Sequence, residues 1–295
     1  MTFKVRLAQF YGQVKRDLDQ VNDYLDQQLA QTPLSALRKV NRYLLDAPGK
    51  RLRPLFAGMC FRHATNQTQL SDDIIQYGGA LDLIHMASLI HDDIIDEADQ
   101  RHDVPTIHTK WGVGVAIPVG VYYYARCLGI LTKLENMTLV RSVSHAVKHL
   151  CEGELDQVFE RFNGELSVNQ HLIMLRKKTA ALFEVAGYGA GLLASVPKSQ
   201  AFVYKSMGYC LGMMFQISDD YLDIMDQNGQ LHKSLGQDLL QGDMTLPILY
   251  VLQSMKMTDS QSLMTRIREK DLSVIDIFQT HCKTPNIRTK LTDLF

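Results

Sequence analysis

Residues 81–98 read LDLIHMASLIHDDIIDEA, and this stretch decides the fold class. Its apolar residues recur at spacings of three and four, as residues on one face of an α-helix do. The same spacing continues through almost the whole chain, without the sustained alternation of apolar and polar residues that marks strands. The sequence therefore predicts an all-α protein.

The composition limits the classes of protein and of partner. The chain has 295 residues, 46% of them apolar, which is enough to bury a large core. Its 31 basic and 32 acidic residues nearly cancel, so no general attraction to nucleic acid or to an anionic membrane is expected. The cysteines show no Cys-x-x-Cys pairing, and residues 1–20 lack the apolar stretch of a signal peptide. These features predict a cytoplasmic protein without disulfides or zinc.

Prolines and glycines divide the chain into segments of helical length. The predicted helices occupy residues 4–30, 35–46, 54–64, 72–98, 114–132, 136–162, 168–194, 199–226 and 246–256. Residues 226–244 are polar and contain glycines, which predicts a long loop. The most apolar segment, 113–124, is broken by glycines and Pro118, so we interpret it as a buried helix and not as a membrane span.

Two groups of three aspartates share the pattern Asp-Asp-x-x-Asp, which gathers three carboxylates on one face of a helix. The first cluster is Asp92, Asp93 and Asp96, and the second cluster is Asp219, Asp220 and Asp223. The first follows apolar MASLI and the second follows apolar CLGMMF, unlike the mixed charges of an exposed helix face. We therefore expect both clusters at the mouth of an apolar cavity, with solvated acidic faces as the alternative.

Carboxylates gathered in a partly buried place repel each other, by roughly 3 kcal/mol for a pair ~5 Å apart. Cations relieve this repulsion, and carboxylate oxygens suit magnesium, manganese or calcium better than zinc or copper. Magnesium usually takes one or two carboxylates and completes its coordination with water and substrate phosphate. The repeated pattern thus predicts two facing clusters that hold a metal-bridged diphosphate between them.

Basic residues that would complete such a site occur at several places. Residues 49–54, GKRLRP, carry three cations at the start of a predicted helix, where anions bind readily. A basic surface patch is the alternative interpretation of this segment. Arg101 and His102 follow the first cluster. Lys178 lies in the segment RKKTA, and Lys233 lies in the predicted loop.

These motifs, taken in order, resemble the trans-isoprenyl diphosphate synthases, the polyprenyl synthetase family. GKRLRP, IHMASLIHDDIIDEADQRHDVPT, the Lys178-Thr179 pair, FQISDDYLDI and GQDLLQGDMTLPIL follow one another in the family's order and approximate spacing. The chain looks most similar to the catalytic component of two-component heptaprenyl and hexaprenyl diphosphate synthases. The resemblance implies a single isoprenoid synthase domain over residues 1–295, a large helical bundle around a central apolar cavity, with C-terminal helices shorter than is usual.

The resemblance also implies roles for individual residues. The diphosphate of isopentenyl diphosphate would be held by Lys50, Arg53, His85 and His102. The metal ligands would be Asp92, Asp96 and Asp219, with Asp93, Asp220 and Asp223 supporting them. The allylic diphosphate would be held by Arg101, Lys178 and Lys233, while Thr179 and Gln216 would line the developing carbocation. The six aspartates and Lys178 are the implied catalytic residues.

The implied activity is a head-to-tail, trans condensation of isopentenyl diphosphate with an allylic diphosphate. The product would be a medium- or long-chain polyprenyl diphosphate for quinone side chains, because Ala87 and Ser88 are small where short-chain synthases carry bulky aromatic residues. Tight packing between helices is the alternative interpretation of these two small residues. The implied cofactor is Mg²⁺, with Mn²⁺ as a substitute. The implied assembly is a homodimer, or a heterodimer with a small accessory subunit, that touches membranes only peripherally through its lipid product.

Three residues depart from the family's pattern, and two alternative functions stay open at this point. His102 stands where a second arginine is usual, Asp243 stands where a lysine is common, and Val121 stands where Gly-Asp is usual. These departures and the short C-terminus leave open a non-catalytic or partner-dependent subunit of a heteromeric synthase. A class I terpene cyclase is disfavoured, because such enzymes normally replace the second cluster with an Asn/Asp-x-x-Ser/Thr-x-x-x-Glu pattern.

Overall fold

The computed structural model describes residues 3–46, 49–101, 103–225 and 236–292. The described chain is helical almost throughout, and the all-α prediction is confirmed. The helices are α1 (Phe3–Ala30), α2 (Ser35–Asp46), α3 (Leu52–Thr65), α4 (Asp72–Ile95), α5 (Ile107–Trp111), α6 (Val113–Lys133), α7 (Met137–Phe159), α8 (Val168–Leu175), α9 (Ala181–Leu193), α10 (Lys198–Met225), α11 (Gln237–Gln241), α12 (Leu246–Ser254), α13 (Met257–Arg268), α14 (Ser273–Cys282) and α15 (Pro285–Thr292). A π-helical turn, Arg176–Ala180, joins α8 to α9. Two short antiparallel strands, β1 (Gln100–Arg101) and β2 (Val104–Pro105), form a small ribbon.

The helix that carries the first aspartate cluster ends earlier than predicted. It was expected over 72–98, but α4 ends at Ile95, because Glu97 takes a positive φ of 51° that an α-helix cannot continue. The chain then turns into the β1–β2 ribbon, which pairs Gln100 with Pro105. This turn matters for the site, since it brings Arg101 back towards the cluster.

Other boundaries also differ from the sequence prediction. The predicted helix 168–194 is interrupted by the π-helical turn, and the helices predicted to end at 162 and 256 end at Phe159 and Ser254. Of the predicted loop 226–244, residues 226–235 lie outside the described residues, while Gln237–Gln241 form α11 and not loop. The C-terminal stretch without a prediction forms α13, α14 and α15.

The chain divides into two compact units, each built from two separate stretches. Unit 1 comprises Met1–Val147 with Leu182–Gly208, and unit 2 comprises Lys148–Ala181 with Tyr209–Phe295. Helices α7 and α10 each run from one unit into the other along the chain. The single domain over 1–295 stays a prediction.

Unit 1 is organised around α4, which contacts α1, α3, α5 and α6. The helix begins after Ser71 with two acidic residues in its first turn, which interact favourably with the positive end of the helix dipole. It is apolar on all sides, as is typical of a helix surrounded by others, and residues such as Leu81, Leu83 and Ile84 are fully buried. The C-terminal end of this core helix carries the first aspartate cluster.

Unit 2 is organised around α12, whose residues from Leu246 to Leu252 are all buried. Pro247 lies in its first turn, where a missing backbone N–H costs nothing. Helices α8, α14 and α15 contact α12, and Phe278 of α14 is fully buried in the same core. The second aspartate cluster lies on α10, whose Ile217 and Ile224 belong to this core.

Helix α6 packs one face against α4 and leaves the other exposed. Val113, Ile117 and Val121 on the outer face are each about half exposed, so the prediction of a buried helix is wrong for this face. Within the described parts of the chain, α6 is the one helix long and apolar enough to cross a membrane by length and composition, and 33% of its apolar window is buried. An apolar helix face of this kind is typical of an interface as well as of a membrane-facing surface.

Candidate active site

The first aspartate cluster contains two partly exposed acids and one buried acid. Asp92 and Asp96 are partly exposed at the end of α4, whereas Asp93 is buried. The guanidinium of Arg101 donates to Asp93, with Nε 2.8 Å from Oδ1. Burial raises the pKa of Asp93, and Arg101 opposes this shift. The β1–β2 ribbon thus fixes Arg101 beside the cluster, while the two partly exposed carboxylates remain accessible.

The GKRLRP segment presents its cations in three different environments. Lys50 is exposed, and Arg51 forms an ion pair with the buried Asp82, Nη1 to Oδ2, at 2.7 Å. Arg53 is buried, lies over the ring of Phe183 at 4.7 Å, and has a buried Nε without a hydrogen-bond partner. A buried, incompletely hydrogen-bonded guanidinium is suited to binding an anion.

Arg53 keeps its charge despite this burial. Burial lowers its pKa to about 10, and the carboxylates of Asp82 and Asp92 oppose the shift, so the side chain is protonated at neutral pH. The carboxylate of Asp92 acts on this pKa, so the charges of Arg53 and of the first cluster interact within unit 1.

His85 lies on α4, two turns before the first cluster. Burial lowers the pKa of His85 well below its usual value, and the positive charges of Arg53 and Arg101 lower it further. Its imidazole is therefore neutral at pH 7. A neutral imidazole offers a diphosphate one N–H donor and no charge.

The second cluster also combines accessible and buried acids. Asp219 is partly exposed, whereas Asp220 and Asp223 are buried. Asp220 accepts a hydrogen bond from Gln216 Nε2 at 2.9 Å and lies 3.6 Å from the buried ring of His171. Asp223 Oδ2 accepts from the backbone N–H of Asp238 at 3.2 Å, which ties the cluster to the start of α11. Asp219 is the acid of this cluster that stays accessible.

The π-helical turn presents the predicted Lys178-Thr179 pair. Thr179 donates from Oγ1 to Gln216 Oε1 at 2.7 Å. Lys178 Nζ lies 2.6 Å from Glu154 Oε2 and 2.9 Å from Gln157 Oε1, both on α7. Gly153 lets helix α7 approach this turn closely, since a Cβ at this position would lie 2.5 Å from the backbone nitrogen of Lys178. π-helical turns often occur at functional sites, and here one carries two predicted site residues.

Sequence reasoning missed three residues of this site. Glu154 and Gln157 lie three residues apart on α7, and this spacing was a signal that two polar side chains share one helix face. Glu154 is 7% exposed, so that face is buried and not solvated. His171, at 2% exposure, had no comparable signal, because a single histidine on an apolar helix is most often a core residue.

The acids fit a divalent cation in chemistry and in exposure. The three predicted ligands, Asp92, Asp96 and Asp219, are the partly exposed acids, and the three predicted supporting acids are the buried ones. In the described parts of the chain, no three His, Cys, Asp or Glu side chains converge to hold a metal by themselves. A cation here would take its other ligands from water and substrate phosphate, as magnesium prefers.

Several predicted site residues are not placed by the structure. His102 and Lys233 lie outside the described residues. The first cluster belongs to unit 1 and the second to unit 2, and their facing arrangement stays a prediction. The structure does bring together Arg101 and Asp93 in unit 1, and Thr179, Gln216 and Asp220 in unit 2.

Comparison with known proteins places the chain in a family. The polyprenyl synthetase family model matches residues 34–281, which includes both aspartate clusters and all the basic motifs. Heptaprenyl diphosphate synthase component 2 of Geobacillus stearothermophilus is 35% identical over 248 residues, which cover 84% of this chain and 76% of the relative.

Solved structures agree with this assignment. Heptaprenyl diphosphate synthase from Staphylococcus aureus has a TM-score of 0.87 and 28% identity, covering 95% of this chain and 89% of the other. A polyprenyl synthase from Caulobacter crescentus, complexed with calcium and isoprenyl diphosphate, has a TM-score of 0.86 and 25% identity, covering 98% of this chain and 87% of the other. The resemblance inferred from the sequence is confirmed, and the chain belongs to the polyprenyl synthetase family of prenyltransferases.

Proposed function

We propose that the chain is a catalytic prenyltransferase that condenses isopentenyl diphosphate with an allylic diphosphate, head to tail and with trans geometry. The product would be a medium- or long-chain polyprenyl diphosphate that serves as a quinone side chain. The observation that carries the proposal is that the family match, residues 34–281, contains every predicted site residue from Lys50 to Lys233 with all six aspartates retained. A non-catalytic subunit has no reason to keep all six aspartates.

Divalent metal ions are used generally by prenyl synthases of this family. We assign Mg²⁺ to this chain, with Mn²⁺ as a substitute, and Asp92, Asp96 and Asp219 as the protein ligands. Bound metal would neutralise the diphosphate leaving group of the allylic substrate. The exposure pattern supports this assignment, because these three acids are the accessible members of the two clusters.

The protein's own cations would bind the two diphosphates. Lys178, Arg101 and Lys233 would hold the allylic diphosphate, so that the positive charge is in place when the carbon–oxygen bond breaks. Arg53, with Lys50, His85 and His102, would hold isopentenyl diphosphate with its double bond beside the allylic carbon. Two diphosphates with separate sets of cations would be oriented independently.

Oxygen atoms in unit 2 would face the developing carbocation. Gln216 donates its amide N–H to Asp220 and accepts from Thr179, so that the orientation of its amide is fixed at both ends. An amide held in this way places its partial negative charge in a constant position. The charge of Asp220 would add to the stabilisation of the cation, and the proton lost after coupling would pass to the released pyrophosphate.

A partner subunit is proposed on two grounds. The Geobacillus relative is named as component 2 of its synthase, which indicates that a second component exists for that enzyme. In this chain, the outer face of α6 exposes Val113, Ile117, Val121 and Leu128, an apolar stripe that would be covered in a homodimer or by a small accessory subunit.

The family consists of soluble enzymes, and we propose a cytoplasmic location with peripheral membrane contact through the lipid product.

The function is tested by incubating the purified protein with Mg²⁺, farnesyl diphosphate and radiolabelled isopentenyl diphosphate. We expect extended prenyl diphosphates, and we expect EDTA to abolish their formation. The assay is repeated with the small component of a two-component synthase added. Absence of product under both conditions would favour a purely structural role for this chain.

Product length gives a separate prediction at Ser88. This residue is 5% exposed on α4, one turn before the first cluster, and its Oγ donates to the carbonyl of His85 at 2.9 Å. If the growing chain passes this point, Ser88→Phe should block it and shorten the products. The added ring should also cost about 1–3 kcal/mol of stability through overpacking.

Chain lengths are measured by chromatography of the dephosphorylated products. Ser88→Ala is the matched control, since it removes the hydroxyl without adding volume, and it should keep the wild-type distribution. A Ser88→Phe protein that is folded and active but makes products of unchanged length would show that the chain does not pass this residue.

A further inference from the structure

Asp243, the residue that stands where a lysine is common in the family, is buried inside unit 2 and bound at both carboxylate oxygens. Its Oδ2 accepts from Gln157 Nε2 at 2.5 Å, and its Oδ1 accepts from Arg161 Nε at 3.0 Å. The side chain is 7% exposed. The substitution therefore does more than remove a positive charge, because the carboxylate is the centre of a hydrogen-bonded group.

Gln157 connects this group to Lys178. Its Nε2 donates to Asp243, while its Oε1 accepts from Lys178 Nζ at 2.9 Å. A carboxylate only accepts hydrogen bonds and an ammonium only donates them, so the amide of Gln157 has a single orientation between the two. A lysine at position 243 would require the amide oxygen of Gln157 to face it. Lys178 would then lose Oε1 of Gln157 as its hydrogen-bond acceptor.

The backbone around Asp243 is held rigidly. Its own N–H donates to the carbonyl of Asp238 at 2.9 Å, and its carbonyl accepts from the N–H of Thr245 at 3.0 Å. The preceding Gly242 has a φ of 85° and accepts at its carbonyl from the N–H of Phe162 at 2.8 Å. A Cβ at Gly242 would lie 2.5 Å from the ring of Phe162, so this close approach requires glycine. The segment that carries Arg161 is thereby fixed against the segment that carries Asp243.

We propose that Asp243 is a positioning residue for the allylic-diphosphate cation Lys178. Acting through Gln157, it holds the ammonium of Lys178 in place beside Glu154, and Arg161 balances its charge. The proposal rests on the role assigned to Lys178 under the proposed function. It predicts an effect on the allylic substrate that isopentenyl diphosphate does not share.

The test compares Asp243→Asn with Asp243→Glu and Gln157→Leu. An asparagine can donate as well as accept, so it no longer fixes the amide of Gln157, and we expect the KM for farnesyl diphosphate to rise roughly 10-fold. The KM for isopentenyl diphosphate should stay within about 2-fold. Gln157→Leu should reproduce this pattern. The double variant Asp243→Asn, Gln157→Leu should have a KM for farnesyl diphosphate no higher than that of the poorer single variant, because both substitutions act on Lys178. Asp243→Glu keeps the acceptor and should rescue most of the affinity.

A second measurement does not depend on turnover. Calorimetric titration with inorganic pyrophosphate and Mg²⁺ should show the same roughly 10-fold loss of affinity in Asp243→Asn. If the wild type binds pyrophosphate but makes no polyprenyl product, the proposed function fails, while the titration still decides the role of Asp243. If Asp243→Asn binds pyrophosphate like the wild type, or raises both KM values equally, Asp243 is not a positioning residue for Lys178.

Discussion

Replacement of Asp92 or Asp219 by alanine should abolish turnover, with a loss in kcat of roughly 10³-fold or more. Both acids are partly exposed, so their carboxylates are available to a metal ion. A cation held there would contribute several kcal/mol to the stabilisation of the leaving diphosphate, and removing one of its ligands would lose much of that contribution. The measurement is a single-turnover assay with farnesyl diphosphate and labelled isopentenyl diphosphate at saturating Mg²⁺.

The same variants should remain folded. Partly exposed side chains carry little of the packing energy, so the melting temperature and the helical circular dichroism should change little. Glu97→Ala is the matched control, because Glu97 is an exposed acid one residue beyond the first cluster and outside the Asp-Asp-x-x-Asp pattern. This control should keep wild-type activity.

A double variant tests whether the two clusters serve one diphosphate. If Asp92 and Asp219 act on the same leaving group, the double alanine variant should lose little more than the poorer single variant. Additive losses would indicate two independent contributions. Turnover within tenfold of the wild type in either single variant would remove that residue from the mechanism.

The aspartate clusters could be found from the sequence, but the division of labour within them could not. The spacing Asp-Asp-x-x-Asp and its apolar surroundings are properties of one helix, so they are visible in the sequence. Whether an acid is accessible depends on residues from elsewhere in the chain. The buried Asp93 accepts from Arg101, which the β1–β2 ribbon brings back to it, and the buried Asp223 accepts from the backbone at the start of α11.

The ribbon itself gave no clear sequence signal. The end of α4 is set by Glu97, a non-glycine residue with a positive φ, where glycine would have marked the turn. The prediction therefore extended the helix by three residues and left the position of Arg101 open. Local spacing predicts where a helix is, whereas its end here depends on a conformation that the residue type does not favour.

The π-helical turn shows the same limit. The segment RKKTA continues a regular helical pattern, and nothing in it marks an inserted residue. The observed turn coincides with the close approach of α7 at Gly153, a contact between residues that are distant in sequence. The polar residues Glu154 and Gln157 were missed for a related reason, because polar residues on a helix are usually solvated, and only the folded structure shows them facing Lys178.

Removal of the Lys178 ammonium should have the second large effect. In Lys178→Met we expect kcat/KM for the allylic substrate to fall roughly 10²–10³-fold, since a preorganised cation on the leaving diphosphate is lost. The variant should also lose about 3 kcal/mol of stability, because Glu154 is left buried without its ion partner. This value is at the low end for a broken buried pair, as the side chain of Lys178 is itself 20% exposed. Kinetics and urea denaturation measure the two effects separately.

The double variant Lys178→Met, Glu154→Gln separates catalysis from stability. The uncharged amide that replaces the Glu154 carboxylate no longer needs a cation, so most of the lost stability should return. Activity should not return, because the charge that faces the diphosphate is still absent. Recovery of activity together with stability would mean that Lys178 only neutralises Glu154 within the fold. Persistent inactivity in a fully stable double variant would assign the ammonium to the reaction itself.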